Sequence, residues 1–285
     1  MEKTKIKNAM TVDVEDYFQV SAFETFIDKS SWGKQECRVE NSTNIILDLF
    51  AEKNIKATFF TLGWVAERYP QLVRRIVSEG HELASHGYDH VRVIHQTPEE
   101  FKADVIKTKR ILEDLSGEQV NGYRAASYSI KKTNLWALDV LYETGHQYSS
   151  SIYPVKHDLY GIPDAPRFKY YPRGKDGILE IPITTLNMMG KKLPAGGGGF
   201  FRFYPYFFSR WALRQVNLID GQSGMFYFHP WEIDVEQPKV PGVNGKSKFR
   251  HYLNLDKMLP RLRMLLNDFQ WDRMDNIFLD KMNKL

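Results

Sequence analysis

The chain has 285 residues, 42% of them hydrophobic and 14% aromatic, which is long enough for one large α/β domain with a substantial core. Its net charge of +4 comes from intermixed acidic and basic residues with no arginine-rich block, which argues against a nucleic-acid-binding protein. Cys37 is the single cysteine, so neither an intrachain disulfide nor a cysteine-based zinc site can form.

In chain order, the charged start "MEKTKIKNAMTVDVEDYF" reaches a first strand at 8–14, leaving no room for the apolar core of a signal peptide. No apolar run approaches the ~18 residues of a bilayer span, so a cytoplasmic chain without a transmembrane segment is expected. "STNIILDLFAEKN" (42–54) has helical apolar spacing behind a Ser/Thr cap, and "IKATFFTLG" reads as a second strand. "VAERYPQLVRRIVSEGH" predicts a helix stopped by Gly80, and "ELAS" a short strand after it. In "TPEEFKADVIKTKRILEDLSG", Thr97 caps a helix, Pro98 and two glutamates fill its first turn, and Gly117 closes it. Strands at 121–125, 146–150, 178–183 and 225–229 and a helix at 133–144 continue the alternation, with a loop excursion at 152–177. The tail "NLDKMLPRLRMLLNDFQW" reads as an amphipathic closing helix. Such alternation predicts a parallel sheet, open or closed into a barrel, with functional residues just after the strands.

Four groups of residues meet that expectation. "TVDVEDYF" crowds Asp13, Glu15 and Asp16 at a strand end, where carboxylates repel unless a cation or a shared proton relieves them. Strand parity puts Asp13 and Glu15 on one face, while Asp16 reaches the same place only if the strand stops at Val14. "SHGYDH" places His86 and His90 four apart around a tight turn, and two imidazoles with one carboxylate make an open divalent-metal site. Arg124 in "GYRAAS" carries a permanent charge that would hold a neighbouring carboxylate ionised. His229 ends the aromatic strand "MFYFH". Each has an ordinary structural reading when taken singly, as a cap, a turn, a surface arginine or a core histidine. Their common position at strand ends joins them. "AGGGGF" (195–200) lacks the Gly-Lys-Ser/Thr of a phosphate loop and reads as a flexible or close-approach loop.

The ordered motifs "TVDVED", "SHGYDH", "YRAAS", "SSSIYP", "GGGGFFRFYP" and "FHPWE" resemble those of the polysaccharide deacetylases, carbohydrate esterase family 4 with NodB homology. The full set is similar to the subgroup associated with bacterial exopolysaccharide biosynthesis. The resemblance implies a distorted (β/α) barrel over 8–235 with a C-terminal helical extension over 236–285 packed on it. It implies Asp13 as catalytic base tethered by Arg124, and His229 as catalytic acid. His86 and His90 would hold a divalent metal, with zinc expected, and Glu15 or Asp16 would be the third ligand. A backbone N–H near Ser127 would meet the oxyanion, and Phe226, Phe228 and Trp231 would form a slot for an acetyl methyl. The implied substrate is a carbohydrate bearing an N-acetyl amino sugar, within a polysaccharide, an oligosaccharide or a biosynthetic precursor.

The chain departs from the pattern at Gly87 (usually a hydroxyl residue), Ala126 (commonly proline) and Ser149 (often aspartate, so that support for the Arg124–Asp13 pair is expected to weaken). Two other readings compete: a metal-free cyclic amide or imide hydrolase of the allantoinase type, and a carbohydrate-binding pseudoenzyme.

Overall fold

Parity along the first strand organises the molecule. In the computed structural model, which describes residues 6–157 and 160–279, β1 (Lys7–Val14) turns Met10, Val12 and Val14 toward a layer of helices. Ala9 faces the other way and packs with Phe60, Ala84, Met225 and Tyr227. Thr11 and Asp13 share that inner face by the two-residue period of a strand.

The remaining strands are β2 (Thr58–Thr61), β3 (Glu82–Ser85), β4 (Gly122–Tyr123), β5 (Tyr148–Ser149), β6 (Leu179–Glu180), β7 (Thr185–Met188), β8 (Lys191–Pro194), β9 (Met225–Phe228) and β10 (Gln270–Asp272). All but the antiparallel hairpin β7–β8 join one parallel sheet. β1 is its hub, paired with β10 through Lys7–Ala9, with β9 through Ala9–Val12 and with β2 through Thr11–Val14. From β2 the sheet runs through β3, β4 and β5 to β6. It therefore curls into a half-barrel, the distorted (β/α) barrel expected from the motifs. The C-terminal ends of β1, β3, β4 and β9 gather on one rim.

The helices are α1 (Val39–Glu52), α2 (Gly63–Arg68), α3 (Pro70–Ser78), α4 (Pro98–Ser116), α5 (Trp136–Glu143), α6 (Gly198–Phe203), α7 (Tyr206–Leu218), α8 (Gly245–Tyr252), α9 (Leu255–Asp268) and α10 (Met274–Phe278). α4 matches its sequence signals: Thr97 and Glu100 form a reciprocal capping box, and Gly117 closes the helix at φ 72°. The helix expected across 65–81 is two, because Pro70 lacks an amide hydrogen and suits only a first turn. α1 starts at Val39 rather than behind a Ser/Thr cap. Its first amides are taken by a carboxylate distant in sequence: Oδ2 of Asp16 accepts N–H from Arg38 at 2.6 Å and Val39 at 2.9 Å. In the tail, α9 ends at Asp268 and the chain returns as β10 beside β1. No helix among the described residues is long and apolar enough to cross a membrane.

Candidate functional site

Asp13 lies on the inner face near the end of β1, and Glu15 follows on the same side just past the strand; both are buried. His86 follows β3 directly, and His90 completes a turn in which Gly87 takes φ 76° and His90 φ 58°. The left-handed region suits Gly87 and costs His90 of order 1 kcal/mol or more. The turn is held from outside: the amides of Gly63 and Trp64 donate to the carbonyls of Gly87 (3.0 Å) and Tyr88 (2.9 Å). The Tyr88 amide donates to half-buried Asp104 at 3.1 Å. A β-carbon at Gly87 would lie 3.1 Å from the Asp104 carboxylate, so this turn accommodates the missing hydroxyl residue by its own anchors.

This geometry brings one ligand atom each from Glu15, His86 and His90 within 4.8 Å of one another. His86 Nδ1 lies 2.8 Å from the carbonyl of Arg124. A carbonyl only accepts, so Nδ1 carries the proton and Nε2 presents its lone pair. The buried Oε2 of Glu15 has no hydrogen bond other than through the His90 Nε2 facing it at 2.9 Å. Two imidazoles and an otherwise orphaned carboxylate oxygen, all buried, are a donor set that fits a divalent cation. Burial raises the Glu15 carboxyl, but the charges of His90, His229 and His86 outweigh it and hold the group well below its usual range. Burial pushes His86 down to about 4, against the pull of Asp13, so it is neutral and able to ligate.

Of the two candidates for the third position, Glu15 belongs to this cluster and Asp16 does not. Asp16 points back, accepts the amide of Tyr17 at 2.8 Å and caps α1 as described. The reason is parity, since adjacent residues leave the strand end on opposite sides.

Beside the cluster, Asp13 Oδ1 is paired with Arg124, both side chains being almost fully buried. Arg124 also donates to Thr11 Oγ1 (2.9 Å), to the Ser150 carbonyl (3.3 Å) and to Ser150 Oγ (3.2 Å), and lies 3.9 Å from the Phe60 ring centroid. The support expected to suffer from Ser149 thus comes from its neighbour Ser150. Buried Glu180 holds that segment by accepting the amides of Ser151 (2.9 Å) and Ile152 (2.7 Å).

His229 Nε2 stands 3.6 Å from Glu15 Oε1 and 3.9 Å from Asp13 Oδ2. Its Nδ1 is 2.8 Å from Glu232 Oε1, whose other oxygen accepts from Arg202 Nε at 2.7 Å. Burial works against the imidazolium, but Glu15, Glu232 and Asp13 prevail and raise His229 to about 9. Trp231 stacks on His229 at 5.0 Å between centroids and donates to Glu15 Oε1 at 3.3 Å.

These groups line a cleft of about 180 Å³ walled by Tyr128, Tyr160, Tyr227 and Trp231. Ser127 also lines it, at φ 51°, its Oγ 2.7 Å from Ser21 Oγ. Phe226 and Phe228 do not: they pack into the core beneath α1 and α9, because β9 turns Tyr227 and His229 inward and its even-numbered neighbours outward. Of the three residues expected at a methyl slot, Trp231 alone lines the cleft. Sequence reasoning missed Tyr227, which the same parity would have found, and Glu232, whose three-residue spacing from His229 behind Pro230 is the signature of a single helical turn. Arg202 lies in the aromatic run 200–208 with no local signal. The glycine run is a close-approach loop: a β-carbon at Gly198 would fall 2.2 Å from Glu232 Oε1, and one at Gly197 2.7 Å from the Tyr227 ring.

Residues 25–148 match the polysaccharide deacetylase family, and residues 150–279 match a domain of unknown function, DUF3473. The first match is to the family whose motifs this sequence resembles, and it covers less than half of the chain. A peptidoglycan-N-acetylglucosamine deacetylase of Bacillus cereus is 43% identical over 72 residues, which is 25% of this chain and 26% of that protein. A chitooligosaccharide deacetylase of Bradyrhizobium is 31% identical over 96 residues, 34% of this chain and 42% of that protein. The chain thus spans less than half the length of either relative. A Mycobacterium smegmatis structure assigned to the polysaccharide deacetylases has a TM-score of 0.63 at 17% identity, covering 97% of this chain and 90% of that one. Puue allantoinase gives 0.59 at 17% identity, covering 96% and 89%. At such identities these likenesses establish the fold alone.

Proposed function

We propose that the chain is a metal-dependent hydrolase that removes N-acetyl groups from an amino sugar in a polysaccharide, an oligosaccharide or a biosynthetic precursor. The observation that carries this reading is the convergence of Glu15, His86 and His90 with Asp13 and His229 on either side of one cleft. Glu15, His86 and His90 would hold the ion, which we assign as zinc. When bound, it would supply Lewis-acid polarisation of the acetamide carbonyl and of the attacking water.

The rest belongs to the chain's own groups. Asp13, kept ionised and aimed by Arg124, accepts the proton of the water that attacks the carbonyl carbon. His229, as imidazolium on Nε2, gives its proton to the sugar nitrogen as the C–N bond breaks, since an amine cannot leave as an anion. Acetate and a free amine result. An N–H near Ser127, a residue that lines the cleft, would meet the developing oxyanion, and Trp231 would bound the acetyl methyl. The motif resemblance supports a substrate from bacterial exopolysaccharide biosynthesis.

The fold does not separate this reading from an allantoinase, because both types superpose on the chain. The residues do: a cyclic-amide hydrolase that works without metal has no use for a buried two-histidine, one-carboxylate set. Metal content of the purified protein and of His86→Ala, with acetate release from a chitooligosaccharide, tests the proposal. About one divalent ion per chain, lost together with acetate release in the variant, is expected. A wild type that takes up no zinc or cobalt when given either would overturn it.

A further inference from the structure

Helix α4 turns Phe101, Val105, Thr108 and Leu112 toward the protein, and Asp104 shares that stripe, three residues after Phe101 and four before Thr108. A carboxylate on an inward stripe gives up hydration and needs hydrogen bonds in return. Its oxygens accept from one donor, the Tyr88 amide, at 3.1 and 3.3 Å. Tyr88 is the middle residue of the turn that joins His86 to His90. An acid on α4 therefore reaches the candidate metal site without touching a ligand.

The turn has need of such a hold. His90 ends it at φ 58°, a conformation that costs about 1 kcal/mol or more and persists only where the surroundings impose it. The other grips on residues 87–89 are of two kinds. The α2 amides take the Gly87 and Tyr88 carbonyls. Side chains meet at the surface, where Tyr88 donates its hydroxyl to Glu67 at 2.7 Å, Lys107 lies 3.1 Å from the Tyr88 ring centroid and Asp89 pairs with Lys29 at 3.1 Å. Only Asp104 takes the Tyr88 amide. Gly87 is matched to it, because a β-carbon at 87 would crowd Oδ2 at 3.1 Å.

We propose that Asp104 is the positioning residue of this turn: by holding the Tyr88 amide it keeps His90 in its left-handed conformation, with Nε2 facing Glu15, and so sets the affinity of the site for a divalent cation. The proposal rests on the metal reading given above. A side chain that orients a ligand from outside changes metal affinity roughly 10–100-fold when it is removed. A residue that merely fastened α4 to its neighbours would act otherwise, lowering stability and leaving the affinity of the folded protein unchanged.

Zinc dissociation constants from chelator competition and the absorption spectrum of the cobalt-loaded protein test this, beside thermal unfolding of the metal-free chains. Asp104→Ala is expected to bind zinc roughly 10–100-fold more weakly than the wild type and to shift the cobalt ligand-field bands. Asp104→Asn keeps an oxygen for the amide and should restore both. Asp104→Leu, which fills the inward stripe with apolar atoms, should bind as weakly as the alanine variant and serves in its place if alanine does not fold. Equal zinc affinity and equal cobalt spectra in the wild type and in the alanine and leucine variants overturn the proposal and leave the metal reading standing. Weak binding by Asp104→Asn overturns it too, because charge rather than an acceptor for the amide would then matter. A wild type that takes up neither zinc nor cobalt fails the metal reading, and the proposal falls with it.

Discussion

The carboxylate of Glu232 sits 2.8 Å from His229 Nδ1, three residues away on the turn that follows β9. The contact fixes which nitrogen of the imidazole faces the cleft and stabilises its charged form. Arg202, 1% exposed, holds the far oxygen of Glu232 and is itself anchored by the carbonyls of His251 (2.9 Å) and Leu253 (2.5 Å). A segment late in the chain thereby orients a residue at the rim of the sheet.

Glu232→Gln is expected to lower kcat by roughly a hundredfold while metal content stays unchanged, because it weakens the acid without touching the ligands. Steady-state kinetics beside metal analysis reads both. Equal kcat in variant and wild type would remove Glu232 from the machinery. Arg202→Met should instead destabilise the fold by about 3–5 kcal/mol, since it leaves Glu232 buried and without its cation.

Asp16 and Glu15 are neighbours with opposite tasks. Asp16→Asn is expected to keep the metal and lose about 1 kcal/mol of stability, the usual value of a lost helix cap. Glu15→Gln should lose the metal, because it removes the only carboxylate of the set. Metal analysis with thermal unfolding of both variants separates the roles. Loss of metal in Asp16→Asn with retention in Glu15→Gln would reverse the assignment.

Strand ends, the capped helix α4 and the four polar groups of the cleft were legible because each has a local signal: period two, a capping box, or a chemically costly cluster. What escaped depends on partners far apart in sequence. Asp16 caps a helix that begins 23 positions later, so neither residue advertises the other. Phe226 and Phe228, which the resemblance assigns to an acetyl slot, face the core instead, because parity sends alternate residues of β9 to opposite faces. β10 lies beside β1 from the other end of the chain, and no local pattern in "QWD" distinguishes a three-residue strand from a helix end.

Glu180 gives a prediction in pH. Burial raises its carboxyl to about 7, against the hydrogen bonds from Ser149, Ile152 and Ser151 and the charge of Arg124. In the unfolded chain the group ionises near 4.5, so between that pH and about 7 the folded state holds a proton the unfolded state has lost. Its contribution to stability is fully present below pH 4.5, falls as pH rises, and stays low above about 7. Glu180→Gln keeps an acceptor for the two amides and cannot ionise. The variant should match the wild type near pH 4.5 and exceed it at pH 8, by on the order of 3 kcal/mol. Denaturant unfolding at both pH values measures this, and a stability difference independent of pH would show that Glu180 ionises normally in the fold.

Gly198 offers the sharpest separation of positioning from folding. It opens α6 with its α-carbon pressed against the Glu232 carboxylate, so a methyl group there would lie 2.2 Å and 2.5 Å from the two oxygens. No side chain shares that space with Glu232 in its present place, and the glycine has an ordinary backbone conformation, so alanine adds a clash and no strain in φ. Two outcomes are physically open to Gly198→Ala: α6 shifts outward, or Glu232 swings off His229. Arg202 lies one turn along the same helix and grips Glu232, so a shift of α6 also drags the carboxylate. Either way the 2.8 Å contact to His229 is lost. Gly198→Ala should therefore reproduce the kcat loss of Glu232→Gln, roughly a hundredfold, and still bind metal. Combining the two changes should cost little more than either alone, because both act through one contact. Additive losses in the double variant would show that Gly198 serves the cleft by a separate route.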